Sequence, residues 1–185
     1  MQLNTLSMVH AFLTQHVRPG AVCIDATAGR GRDTALLCRL AGENGRVLAF
    51  DIQQEAVDQT RALLEQEGLT AEVYLESHAH MEQYANAESV DCVVFNFGRL
   101  PGGDPHIVTR AESSVAAIGA GLELLRPGGV MAIALYYGKE NGYEEKEAVL
   151  RYLKTVDDRR FSVLCCDWAN RRGDPPMPIF IWRER

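Results

Sequence analysis

No stretch of the chain approaches the about 18 consecutive apolar residues that a membrane-spanning helix needs. The segment from Met1 to Val17 interleaves Asn4, Thr5, Gln15 and His16 with its apolar residues and has no basic lead-in, which argues against a secretory signal. A cytoplasmic protein without membrane contact is expected. There is no block of like charge and no low-complexity run, so long disordered tails are not expected. The five cysteines (Cys23, Cys38, Cys92, Cys165 and Cys166) form no C-x-x-C pair and have no histidine at ligand spacing. That argues against a disulfide framework and a metal site, and most of these cysteines read as small core residues in a reducing compartment. Basic residues are outnumbered, 19 against 25 acidic, for a net charge of −6. Phosphate contacts need Lys and Arg, so any nucleic-acid surface must be a local patch.

What is present is an ordinary globular balance, 46% hydrophobic and 24% charged, in 185 residues, which fits one domain spanning 1–185. Period-two or apolar runs bounded by turn residues predict strands at Ala21 to Ala26, Arg46 to Asp51, Ala71 to Glu76, Val90 to Asn96, Gly129 to Tyr136, Phe161 to Asp167 and Pro178 to Trp182. Helical patterns fall at Thr5 to His16, Arg32 to Ala41, Gln54 to Glu67, Thr109 to Leu125 and Tyr143 to Val156, with a short turn near Met81 to Tyr84. Thr109 and Glu112 have the spacing of a capping box, and Arg126-Pro127-Gly128-Gly129 marks a sharp helix stop. Strands alternating with helices imply right-handed crossovers and a parallel sheet covered on both faces. The last two strands are joined by Trp168 to Met177, which holds Gly173, Pro175 and Pro176 and no helical pattern, so they form an antiparallel hairpin. The expected class is therefore α/β: a seven-stranded, mostly parallel sheet ending in an antiparallel hairpin, similar to the Rossmann-like class I methyltransferases.

Chemistry gathers where the strands end. The first strand runs into Asp25-Ala26-Thr27-Ala28-Gly29-Arg30-Gly31-Arg32-Asp33 and then a helix. Gly29 and Gly31 let the backbone approach a ligand at the positive helix end. Thr34 stands where a dinucleotide fingerprint has its third glycine, and Asp25 would repel a diphosphate while suiting a sulfonium and an ammonium. Asp51 ends the second strand at the spacing where an acid accepts from both ribose hydroxyls, followed by Ile52 and Gln53. Either signal alone is weak, since a strand-end Asp also caps helices; the two together favour an adenosyl cofactor. Ser77 and His78 end the third strand, where they either hydrogen-bond an adenine edge or are satisfied by the backbone. The candidate cofactor residues are thus Asp25, Thr27, Gly29, Gly31, Asp33, Thr34, Asp51, Ile52, Gln53, Ser77, His78 and Asn96.

After the fourth strand comes Asn96-Phe97-Gly98-Arg99-Leu100-Pro101-Gly102-Gly103-Asp104. With Asp25-Ala26-Thr27, Ser77-His78, Leu125 to Gly129, Tyr136-Tyr137-Gly138, Glu144-Glu145-Lys146 and the tail Asn170 to Pro176, this run resembles a bacterial family across nearly the whole chain. That family was first labelled rRNA methylases and is now assigned as the tRNA 5-aminomethyl-2-thiouridine methyltransferase. The resemblance implies S-adenosyl-L-methionine as cofactor, the tRNA anticodon stem-loop as partner, a homodimer, and methylation of the aminomethyl group of the wobble uridine. Arg30 and Arg99 stand where the family commonly has Asn and Tyr, so side-chain roles there do not carry over.

Methyl transfer from a sulfonium is an in-line displacement that needs the nucleophile about 3 Å from the methyl carbon, with its lone pair free. Asn96 can accept from the target N–H, or simply form a strand-end turn. Asp104 can accept a proton or serve as a turn former before Pro105; His78 and His106 are weaker candidates for the base. Tyr136 and Tyr137 can stack on the uracil or pack at a strand end. Arg99, Arg110, Arg171 and Arg172 are candidate phosphate contacts, and Pro101, Gly102 and Gly103 line the expected acceptor side. Three rivals stay open: a methyltransferase acting on rRNA or a small-molecule amine, a nicotinamide-dependent oxidoreductase, and a non-catalytic cofactor-binding module.

Overall fold

The computed structural model describes residues 3–100, 102, 107–138 and 142–185. The chain runs α1 (Thr5–His16), β1 (Val22–Asp25), α2 (Arg32–Ala41), β2 (Arg46–Asp51), α3 (Gln54–Glu67), β3 (Glu72–Leu75), a 3-10 helix (His78–Gln83), β4 (Val90–Phe97), α4 (Ala111–Leu124), β5 (Leu125–Leu135), α5 (Gly142–Leu153), β6 (Phe161–Cys165) and β7 (Met177–Arg183). The strands form one sheet in the order β3-β2-β1-β4-β5-β7-β6. Every pairing from β3 to β5 is parallel, and β7 runs antiparallel to both β5 and β6. This is the Rossmann-like class I methyltransferase architecture with its closing hairpin.

The apolar strand runs are explained by burial on two faces. Ile24, Phe50, Phe95, Phe97 and Ile133 face α4 and α5, whereas Cys23, Ala49, Val94, Ala132 and Ala134 face α1, α2 and α3. Each large side chain taken fully from water contributes about 1.5–3 kcal/mol. Strand order reverses between β1 and β4, and such a switch point opens a crevice at the carboxyl ends of the strands. Among the described residues, no helix is long and apolar enough to cross a membrane, and no group of three or more His, Cys, Asp or Glu could hold a metal ion.

Two local expectations give way. The capping box at Thr109 does not form: α4 begins at Ala111 with Arg110 at its cap, and Thr109 Oγ1 instead accepts from the Gly98 amide at 2.7 Å. The Thr109 amide in turn donates to the Gly98 carbonyl at 2.8 Å, so Thr109 is tied to the segment after β4 rather than to its own helix. Nor does Arg126 to Gly129 separate helix from strand. Leu125 already pairs with Val90, and a register shift between Val90 and Cys92 absorbs the irregular stretch before Val130.

Candidate active site

At the carboxyl end of β1 the chain turns through Gly29 and Gly31 into α2. Gly31 has φ +76°, and a Cβ there would lie 2.9 Å from the Thr60 Cα of α3, so only glycine lets the loop lie this close to the next helix. Asp51 at the end of β2 grips the loop from the side: its carboxylate accepts from Gly29 N at 2.9 Å and from Gln53 N at 3.0 Å. Burial raises the Asp51 pKa, and the amides of Gln53, Gly29 and Ile52 oppose that shift. The next residue, Ile52, is 58% exposed, an apolar surface on the rim of the crevice.

Asp25 lies beneath this loop and has no exposed surface. Thr34 Oγ1 donates to one of its oxygens at 2.6 Å and the Thr27 amide to the other at 3.2 Å. Burial, then the neighbouring Asp33 charge, pushes the Asp25 pKa up to about 7. A cation above the loop would relieve that cost through the field, without direct contact. Thr27 ties β1 to β4, its Oγ1 accepting from the Asn96 amide at 2.7 Å.

Asn96 belongs to a second cluster. Its Nδ2 donates to Asp33 Oδ2 at 2.7 Å, and the other Asp33 oxygen lies 2.6 Å from His10 Nε2 of α1. Tyr136, 40% exposed, borders the same place: burial and the Asp33 charge both raise its phenol pKa. Sequence reasoning missed His10. Nothing in its local pattern marks it, because only the packing of α1 against α2 brings it to Asp33.

Other candidates part company. His78 is a correction to the proton-acceptor expectation. Its ring packs edge-on to Phe95 and Phe97 and donates to the Ala26 carbonyl, and burial lowers its pKa to about 4. Successive residues of β4 face opposite sides, so Phe97 and His78 lie across the strand from Asn96. A ring that stays neutral at physiological pH, on the far side of the sheet, is poorly placed and too weakly basic to serve there. Its Nε2 is buried and has no hydrogen-bond partner among the described residues, an unmatched acceptor. Ser77 caps the 3-10 helix, its hydroxyl accepting from Ala79 N at 3.2 Å. Tyr137 packs against Tyr143 and carries Lys146 Nζ 3.6 Å above its ring, so Tyr136 is the tyrosine of the pair beside Asp33.

Arg171 stacks 3.5 Å over Trp168 and donates to the Leu3 carbonyl, which commits it within the chain. Arg99, Arg110, Arg172 and Gly102 are exposed. Pro101, Gly103, Asp104 and His106 lie outside the described residues.

The donor set fits an adenosyl sulfonium. Asp51 offers acceptor oxygens at the rim, Ile52 an apolar face, His78 an unmatched acceptor and Asp25 a buried negative field. The comparisons agree. A family model described as "Putative rRNA methylase" matches residues 47–182. The chain belongs to that family. It is 39% identical to a structure bearing the same rRNA-methylase description from Clostridium thermocellum, with TM-score 0.96 and 99% of each chain covered. A methyltransferase from Streptococcus mutans, solved in complex with SAH, is 33% identical with TM-score 0.90, again over 99% of each chain. A chloroplastic tRNA (mnm(5)s(2)U34)-methyltransferase of Arabidopsis thaliana is 33% identical over 96% of this chain and 68% of its own length. This family member is an S-adenosylmethionine-dependent methyltransferase, which removes the oxidoreductase and the non-catalytic module from consideration.

Proposed function

We propose that the chain methylates the primary amine of 5-aminomethyl-2-thiouridine at the tRNA wobble position, giving 5-methylaminomethyl-2-thiouridine. The observation that carries this reading is the likeness to the plant tRNA (mnm(5)s(2)U34)-methyltransferase over 96% of this chain. The acceptor side of the crevice supports it, because Asn96 is held with its amide nitrogen on Asp33 and its oxygen available to an N–H donor.

The cofactor supplies an electrophilic methyl group when bound. Asp51 and the backbone of Gly29 and Gly31 would hold the adenosyl part, Ile52 would offer its apolar face to the adenine, and the unmatched His78 Nε2 would accept a hydrogen bond from it. Asp25, with Thr34 and Thr27, holds the loop rigid and supplies negative field beneath the sulfonium. The Asn96 oxygen accepts from the amine and aims its lone pair. Tyr136 flanks the uracil. The proton lost from nitrogen passes to water or to Asp104. Arg99, Arg110 and Arg172 contact phosphate, which confines the basic patch to loops on an otherwise acidic chain. A homodimer belongs to the same reading, and sedimentation tests it.

Purified protein and S-adenosylmethionine are incubated with tRNA from cells lacking this modification step, and the digested nucleosides are analysed by mass spectrometry. Conversion of the aminomethyl nucleoside to its methylamino form is expected. Its absence, with cofactor binding verified calorimetrically in the same preparation, would remove the tRNA acceptor and leave the methyltransferase. Methylation of rRNA or of a free amine instead would transfer the reading to that acceptor.

A further inference from the structure

We infer that His10 is a positioning residue for methyl transfer, acting through Asp33 to fix which end of the Asn96 side-chain amide faces the acceptor. The inference rests on the acceptor being an amine, as proposed above.

The geometry is a three-member chain across three elements: His10 on α1, Asp33 in the first turn of α2 and Asn96 near the end of β4. His10 Nε2 stands 2.6 Å from Asp33 Oδ1, and Asn96 Nδ2 stands 2.7 Å from Asp33 Oδ2. The Asp33 side chain is 6% exposed, so water contributes little to either bond. An ionised carboxylate only accepts, so both neighbours must present donors to it. That requirement places the proton of His10 on Nε2. It also turns the NH₂ end of Asn96 toward Asp33 and the oxygen toward the crevice. The opposite amide orientation would set two acceptors against each other in a buried place, and this asymmetry defines the site's preference for an acceptor that donates an N–H.

His10 is what keeps Asp33 in this role. Asp33 sits close enough to Asp25 for their charges to interact unfavourably, and the His10 N–H offsets that repulsion at Oδ1. Without it, Asp33 can rotate away from its place between the two donors. A displaced Asp33 no longer holds the Asn96 NH₂, and the amide is then free to turn its nitrogen toward the amine. The cofactor half makes no contact with His10 itself: the Asp51 and Thr34 hydrogen bonds are formed without it. Helix α1 is anchored by its own Asn4 capping box, so replacing His10 leaves the helix start intact.

The test compares His10→Ala, His10→Gln and Asp33→Asn with the wild type. The readouts are kcat, KM for tRNA, S-adenosylmethionine affinity, and the ¹H–¹⁵N resonances of the Asn96 side-chain amide with S-adenosylhomocysteine bound. For His10→Ala, kcat is expected to fall about tenfold or more, the effect of losing roughly one charge-assisted hydrogen bond, while KM and cofactor affinity stay within about twofold. The Asn96 amide resonances should move. His10→Gln, whose amide nitrogen can reach the Nε2 position, should recover most of the rate and the wild-type resonances. Asp33→Asn should reproduce the loss of rate. Wild-type kcat in His10→Ala, or cofactor affinity falling in parallel with kcat, or unmoved Asn96 resonances, would each overturn the inference. If the wild type methylates no aminomethyl uridine, the acceptor reading has failed, and the Asn96 resonances alone still judge the link from His10.

Discussion

The two halves of the crevice are built differently. On the cofactor side, Asp25, Thr27, Gly29, Gly31, Thr34 and Asp51 come from two consecutive strand-to-helix turns, and the contacts between them span at most 22 residues. On the proposed acceptor side, Asn96 reaches Asp33 across 63 residues and Asp33 reaches back to His10 across 23. The cofactor half is thus fixed by short loops, each closing on its neighbour. The proposed acceptor half exists only when α1, α2 and β4 have all docked. A reaction shared across a fold suits the first kind of construction, and an acceptor preference particular to one family suits the second.

Substitutions can break this contrast, and the largest effect is expected at its boundary. Asn96→Ala should lower kcat roughly 100-fold, the scale of losing a group that orients the nucleophile, with cofactor affinity little changed in calorimetry. A parallel loss of both would mean that Asn96 belongs to the cofactor half. Asp51→Ala should do the reverse, weakening S-adenosylmethionine binding about 10- to 100-fold through its charge-assisted hydrogen bonds while kcat at saturating cofactor changes less.

Asp25→Asn sharpens the comparison through pH. Asp25 is an acid whose folded pKa, about 7, lies above its ordinary 3.8. As pH rises past about 4 the unfolded chain releases this proton while the folded chain keeps it. The group therefore lowers stability progressively up to about pH 7 and by a constant amount above. Urea denaturation across that range should find Asp25→Asn flatter with pH and more stable than wild type at pH 7, by on the order of 1 kcal/mol. A steeper profile in the variant would contradict the assigned burial cost.

The smallest effect concerns RNA. Arg171 is occupied by Trp168 and Leu3, so Arg171→Ala should cost under about 1 kcal/mol of stability and leave the salt dependence of tRNA binding unchanged. Arg99→Glu with Arg172→Glu should weaken tRNA binding and flatten that dependence. Equal salt slopes in all of these variants and the wild type would remove the arginines from the interface.

Much of this was legible in residue patterns. The strands reappear with shifts of a few residues at their ends, because apolar runs between turn residues have few other ways to be buried. Glycines flanked by strand-end acids likewise led to the proposed cofactor side, since close backbone approach demands glycine and adenosyl recognition suits carboxylates. His78 was misjudged as a base because sequence gives its position after β3 but not the desolvation that holds it near pKa 4. Thr109 showed the motif of a helix cap, yet its hydroxyl went to the Gly98 amide, a partner invisible from local spacing.

The sequence by itself determined the order of elements, the parallel sheet with its terminal hairpin and the two acidic strand ends, because each follows from periodicity and turn chemistry within about 30 residues. Only the tertiary structure decided which polar groups share a proton or a field. It joined His10 to Asp33 and Asn96, sank Asp25 beneath its loop and laid Arg171 over Trp168. Hydrogen bonds and desolvation depend on distances of a few ångströms between segments remote in the chain, and those distances are set by packing alone.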